Sequence, residues 1–302
     1  MTKFKAWINA ARLRTLPLSI SGILVGSALA SYYGNFDLVI FWLAIFTTIG
    51  FQVTSNFAND YGDGIKGTDN QNRIGPKRML QSGLLSRKAL KRGIVVSIII
   101  DVLLVVSLLF FSFGRDELGW ILFFLILGGL SIWAAIKYTI GKNAYGYQGL
   151  GDIFVFLFFG LVGVLGSMFL FIKTIPLSSL FPAIAIGLLS AAVLNLNNLR
   201  DHQSDKESGK NTLVVKIGFL NGKLYHLVLL AVAFLSILMF MIITANNWKE
   251  YIGLLAFIPI IFHATKVKSI KNPAMLDPEL KKLALSTFLM ALLFYFSYYN
   301  FS

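Results

Sequence analysis

Nine apolar stretches, near residues 16–33, 38–58, 94–113, 118–136, 150–172, 178–198, 224–245, 251–266 and 283–301, leave little of this chain outside them except short connections. A helix needs roughly 20 apolar residues to cross about 30 Å of hydrocarbon. A continuous apolar run crosses lipid only as a helix, because every backbone N–H and C=O must then find its partner inside the segment. The pattern therefore predicts an all-α fold, a polytopic bundle of nine transmembrane helices, as a single membrane domain over 1–302. At 56% hydrophobic and 14% charged residues, the chain lies outside the composition of soluble domains. The absence of cysteine excludes thiolate metal sites, disulfides and cysteine nucleophiles. The basic, amphipathic start Met1-Thr2-Lys3-Phe4-Lys5-Ala6-Trp7 is followed by no small-residue cleavage site, so the first apolar stretch is expected to remain as a span.

The charges orient the bundle. With nine spans, 24 Lys and Arg fall on the side of the N-terminus and 3 (Arg115, Lys173 and Lys249) on the other. Basic residues accumulate on the cytoplasmic side of membrane proteins, so the N-terminus is expected in the cytoplasm and the C-terminus outside. The same loops account for the net charge of +13 without any role for nucleic acid.

Two polar clusters interrupt the apolar pattern on that cytoplasmic side. Asn56-Phe57-Ala58-Asn59-Asp60-Tyr61-Gly62-Asp63 closes the second span, and Asn197-Asn198-Leu199-Arg200-Asp201-His202-Gln203-Ser204-Asp205 closes the sixth. Asn56 and Asn197, like Asp60 and Asp201, are separated by 141 positions, so Asn-x-x-x-Asp occurs twice in register, within motifs at 56–69 and 197–210. This predicts two weakly repeated halves, with the ninth span outside the duplication. Acids at membrane depth cost roughly 2.5–3.5 kcal/mol each, and a duplicated set implies a bound ligand. Asp60 and Asp63 at i, i+3, and Asp201 and Asp205 at i, i+4, share a face if the helices continue through them. Hard oxygen ligands, with His202, His226 and His263 scattered, favour Mg²⁺ or Mn²⁺ over zinc. Two such pairs, with Asn56, Asn59, Asn197 and Asn198 as neutral donors and acceptors, suit a diphosphate bridged by metal. The polar segments near 59–93 and 199–223 are expected to be loops forming a cytoplasmic cap over the site mouth.

On these residues the chain resembles the UbiA-type intramembrane aromatic prenyltransferases, which carry one Asn/Asp-rich motif after the second helix and another after the sixth. Four stretches look most like the members of that superfamily that act on 1,4-dihydroxy-2-naphthoate in menaquinone synthesis. They are Arg12-Leu13-Arg14-Thr15-Leu16-Pro17; Asn59 to Asp63 continuing through Lys66-Gly67-Thr68-Asp69 to Arg73-Ile74-Gly75-Pro76-Lys77-Arg78; Tyr145-Gly146-Tyr147-Gln148-Gly149-Leu150-Gly151-Asp152 with Phe154 to Gly160; and Asn197 to Asp205 with Gly209-Lys210 and Thr212-Leu213. The resemblance covers 12 to about 218, and the last helices carry nothing diagnostic. One departure stands out: where the superfamily often has a third Asp in the first motif, this chain has Gly67, and its next acid is Asp69.

The resemblance implies transfer of a polyprenyl group from polyprenyl diphosphate to 1,4-dihydroxy-2-naphthoate, with loss of carbon dioxide, in a bacterial cytoplasmic membrane. It places Mg²⁺ on Asp60, Asp63, Asp201 and Asp205 with Asn56 and Asn197. Arg78, with Lys142 or Arg73, would neutralise the leaving diphosphate, and Arg200 and Asn59 would contact substrate. Tyr138, Tyr145 or Tyr147 would face the allylic cation. Asp152 would bind the acceptor or orient Lys142, or else cap its helix. Gly146, Gly149 and Gly151 would leave room for a bicyclic ring, or shape the start of that helix. Asp101, deep in the third span, receives no role, and Tyr295, Tyr298 and Tyr299 suit an interfacial belt. Other acceptors in the superfamily are 4-hydroxybenzoate, homogentisate and haem. A secondary transporter of an anionic substrate would carry its charges near the bilayer centre rather than at one face. A CDP-alcohol phosphotransferase would gather its acids into one compact motif.

Overall fold

The computed structural model describes residues 2–68 and 74–299. Among these residues the regular structure is entirely helical, as expected for a bundle. The helices are α1 (Lys3–Ala11), α2 (Leu16–Tyr33), α3 (Leu38–Lys66), α4 (Arg87–Phe113), α5 (Leu118–Lys137), α6 (Gly151–Val155), α7 (Ser167–Ile172), α8 (Leu180–Glu207), α9 (Leu213–Ile217), α10 (Phe219–Thr244), α11 (Phe257–Ser269) and α12 (Asp277–Tyr298). A π-helix, Phe156–Gly166, joins α6 to α7 in one span. Nine segments of the described residues are long and apolar enough to cross a membrane. Their outward faces are apolar as well: Val95, Ile99, Leu103 and Val106 on α4, and Leu122, Ile126 and Leu130 on α5, are all exposed. Lipid tails satisfy such faces and water would not, so the chain is an integral membrane protein.

α3 and α8 reach well past the apolar stretches that end near 58 and 198, and both acidic clusters lie on these helical extensions rather than in loops. Apolar pattern marks where lipid ends, not where a helix ends, and polar residues with partners can carry the helix further. Gly67 terminates α3 in the left-handed conformation, φ +73°, with its N–H on the Asp63 carbonyl. That conformation suits glycine far better than aspartate, which accounts for the departure from the family pattern at this position. Asp69 and Arg73 lie outside the described residues.

Close approach of backbones holds the span from Gly151 to Ile172 in the bundle. A Cβ on Gly160 would lie 2.6 Å from the Ala183 carbonyl oxygen and 2.7 Å from Gly187 Cα. Small residues at such crossings replace the hydrophobic drive that lipid removes. Tyr298 packs inside the bundle at 1% exposure, its ring 4.6 Å from Phe294 and 5.4 Å from Tyr32, so it belongs to the core rather than to an interfacial belt. Nor are the histidines all scattered: His226 Nε2 and His263 Nε2 are 3.0 Å apart, and His263 Nδ1 is 2.8 Å from Glu279.

Candidate active site

The polar ends of α3 and α8 open on one cavity of about 1070 Å³ that continues deep into the bundle. One end is polar, walled by Arg12, Asn56, Asn59, Asp60, Asp63 and Arg78, and by Asn197, Arg200, Lys210 and Asp277. The remainder is apolar, with Ile23, Ala44, Val105, Leu109, Phe124 and Leu170 among its walls. Helical spacing produces the polar end. Positions 56, 59, 60 and 63, and 197 and 200, follow the i, i+3, i+4 rule for one helix face, whereas Asp201 and Asp205 stay off the cavity wall.

Within the first motif, both Asp60 oxygens accept backbone N–H groups from the returning turn, Met79 at 3.0 Å and Leu80 at 3.2 Å. This carboxylate therefore holds the segment bearing Arg78 against α3. Asp63 accepts the Tyr147 hydroxyl at 2.8 Å, and the same hydroxyl lies 2.5 Å from Thr68 Oγ1. Asn56 spends its amide on packing: Nδ2 donates to the Ala11 carbonyl at 2.8 Å, and Oδ1 accepts from Gln52 at 3.3 Å. Asn59 Oδ1 accepts from Thr139 at 3.3 Å.

In the second motif, the Arg200 guanidinium faces the cavity and Asp201 stands behind it. Nε and Nη2 of Arg200 donate to the two Asp201 oxygens at 2.8 and 2.6 Å, Nη2 also reaches Asn197 Oδ1 at 2.8 Å, and Nη1 donates to Asp277 at 2.6 Å. Asp205 is buried, 3.7 Å from Lys210 Nζ. The lysines brought to the cavity are Lys77, Lys210 and Lys281; Lys142 stands exposed on the turn after α5 and does not line it. Asp152 is buried at the start of α6 and likewise stays off the cavity wall, with Oδ1 making no hydrogen bond.

Tyr138 and Tyr145 line the cavity together with Phe154, while Tyr147 sits behind Asp63 with Lys66 Nζ 3.8 Å above its ring. Burial, reinforced by Asp63, Asp152 and Asp205, pushes the Tyr138 hydroxyl above its ordinary range, and burial does the same at Tyr145. Tyr147 is raised by burial first and by Asp63 next. All three phenols therefore stay neutral and act as donors or as ring faces. The glycines 146 and 151 open no slot for a ring: a Cβ there would meet Tyr138 at 2.6 Å and Leu194 at 3.1 Å, and Gly149 adopts φ +78° against Lys216.

Sequence reasoning gave no site role to Arg12, Lys210 or Asp277. For Arg12 and Lys210 the signal was present in the matched stretches; Asp277 lies beyond them and carried none. Among the described residues no three acidic or imidazole side chains converge into a closed cage. The donor set is hard oxygen spread along two helix faces. That suits a cation such as Mg²⁺, which uses one or two carboxylates and completes its shell with water and phosphate oxygens.

Among curated proteins, the 1,4-dihydroxy-2-naphthoate octaprenyltransferase of Haemophilus influenzae is 43% identical over 97% of this chain and 95% of its own length. The protein of the same name from Escherichia coli is 40% identical over 97% and 95%. Among solved structures, a UbiA homolog from Archaeoglobus fulgidus bound to GPP and Mg²⁺ aligns over 96% of this chain and 99% of its own, with a TM-score of 0.67 at 14% identity. The same homolog bound to DMAPP and Mg²⁺ aligns over 95% and 98% with a TM-score of 0.66 at 14% identity. That likeness establishes a common fold. The family model for UbiA prenyltransferases matches residues 19–291, and with two motif-bearing helices opening on one polar-to-apolar cavity, the chain belongs to the UbiA prenyltransferase family.

Proposed function

We propose that this enzyme transfers a polyprenyl group from polyprenyl diphosphate to 1,4-dihydroxy-2-naphthoate, with loss of carbon dioxide, to give the demethylmenaquinone skeleton. The observation that carries the reading is a single cavity whose polar end bears both motifs and whose apolar remainder suits an isoprenoid tail. The acceptor rests on the two relatives of that name, similar over nearly the whole chain. Asp60 and Asp63, with Asp201 and Asp205, would hold a divalent cation, Mg²⁺ by the chemistry of the donors, and Mn²⁺ would satisfy the same oxygens. The bound cation would supply positive charge to the diphosphate oxygens.

The chain's own residues provide the rest. Arg12, Arg78 and Lys210 line the polar end and bind the diphosphate oxygens, Arg in the bidentate manner that phosphate favours. As the allylic carbon–oxygen bond breaks, its electron pair leaves with the diphosphate, whose growing charge these cations stabilise. The faces of Tyr138 and Tyr145 stabilise the allylic cation. The naphthoate ring then forms the new carbon–carbon bond, and loss of carbon dioxide with deprotonation restores aromaticity. The motifs face the cytoplasm in this reading, which places the N-terminus inside, the C-terminus outside and the protein in the bacterial cytoplasmic membrane.

The test supplies purified enzyme with Mg²⁺, a polyprenyl diphosphate and 1,4-dihydroxy-2-naphthoate labelled at the carboxylate. Labelled carbon dioxide should appear in step with prenylated product, and 4-hydroxybenzoate should remain unconsumed. Product that keeps the label, or preference for 4-hydroxybenzoate, would overturn the acceptor.

A further inference from the structure

The last membrane helix, α12, lines the site with several residues, of which Asp277 is the one acid. Asp277, its first residue, lines the cavity and accepts Nη1 of Arg200 at 2.6 Å, with its side chain 43% exposed at the mouth. Arg200 itself is buried and covers both oxygens of Asp201. A guanidinium forked onto a carboxylate occupies the positions that a cation would take, so Arg200 and a divalent ion compete for Asp201. A buried guanidinium deprived of its carboxylates is left with an uncompensated charge in a desolvated place. It can leave Asp201 only if another anion already compensates it.

We propose that Asp277 is a positioning residue for metal binding: by pairing Arg200 at the cavity mouth, it permits the guanidinium to give up Asp201 to a divalent cation. The inference rests on the prenyltransferase reading, in which Asp201 is a metal ligand. Its electrostatics are consistent with its place in the fold. Asp277 stands in the first turn of α12, where the helix dipole favours a negative charge. Asn197 Oδ1 supplies a neutral second contact that holds Arg200 near the mouth while Asp201 turns away.

Mn²⁺ binding to the purified, substrate-free protein, followed by electron paramagnetic resonance of free Mn²⁺, is the direct test. Asp277→Asn should weaken binding about tenfold, the scale of one coupling inside an ion-pair network, and Asp277→Glu should restore most of it. Arg200→Gln removes the competitor and should bind Mn²⁺ at least as tightly as the parent, alone and combined with Asp277→Asn, although its turnover falls. Size-exclusion profiles confirm that each variant is folded, and the Glu variant tests the charge if the Asn variant is not. Unchanged affinity in Asp277→Asn, or weakened affinity in Arg200→Gln, would overturn the proposal. Failure of the parent protein to bind Mn²⁺ would instead overturn the metal reading itself.

Discussion

At the scale of single residues, the two conspicuous aspartates act in different surroundings. Asp60 accepts two backbone N–H groups, whereas Asp201 is covered by a guanidinium. Replacing either by Asn preserves size and much of the hydrogen bonding but removes a charge. Turnover with Mg²⁺ should fall by at least about 100-fold, the scale of losing a charge-stabilising group, while the protein stays folded. Folded variants with near-parental turnover would remove these residues from the site. Cations separate in the same way. Arg78 lines the cavity, whereas Lys88 and Lys91 are exposed on α4 and do not. Arg78→Ala should raise KM for the prenyl diphosphate and slow turnover, and Lys88→Ala should change neither measurably. Equal losses at both would mean a diffuse field rather than a binding site.

At the scale of elements, α3 and α4 are fastened by a polar pair within the bilayer. Thr54 Oγ1 donates to Asp101 Oδ2 at 2.6 Å, both side chains being fully buried, and Asp101 Oδ1 makes no hydrogen bond. Thr54→Val leaves the acid without that donor and should lower stability by about 1–3 kcal/mol, read as a drop in thermal midpoint in detergent. The double variant Thr54→Val, Asp101→Leu removes both partners and should recover most of the loss. If the double variant is as unstable as the sum of its parts, the pair is not the fastening. Asp101 also shows which parts of the elements were legible in the sequence. The apolar runs located all nine spans, because lipid imposes length and hydropathy directly on the residues. They did not locate the ends of α3 and α8, since the two helical extensions are polar and are stabilised by distant partners such as Met79, Leu80 and Asp277. The contact of Asp101 with Thr54 was hidden for the same reason: it depends on how two helices are rotated against each other, which hydropathy leaves open.

At the scale of the whole molecule, the spacing of the motifs on two helices brings Asn56, Asn59, Asp60 and Asp63, with Asn197 and Arg200, to one mouth. What α12 adds to that mouth was not legible, because it contributes Asp277 from a segment without a diagnostic pattern. The meeting of His226, His263 and Glu279 from α10, α11 and α12 was equally invisible, since positions scattered in sequence become neighbours only through packing. Cavity depth belongs to this scale as well, and one position tests it cleanly. Gly166 lines the cavity fifteen residues after Gly151 along its span, roughly 20 Å at the rise of a helix. A Cβ there would meet only ordinary contacts, Val162 at 3.7 Å and Phe124 at 3.9 Å, and the backbone has helical dihedrals. Gly166→Leu therefore adds volume to the apolar end from a Cβ that the site accommodates. If the isoprenoid tail runs down this cavity, the variant should lose turnover selectively on long prenyl diphosphates and keep it on the shortest. That is a change in the ratio of kcat/KM between chain lengths, with metal dependence unaltered. An equal loss at every chain length would place the tail elsewhere.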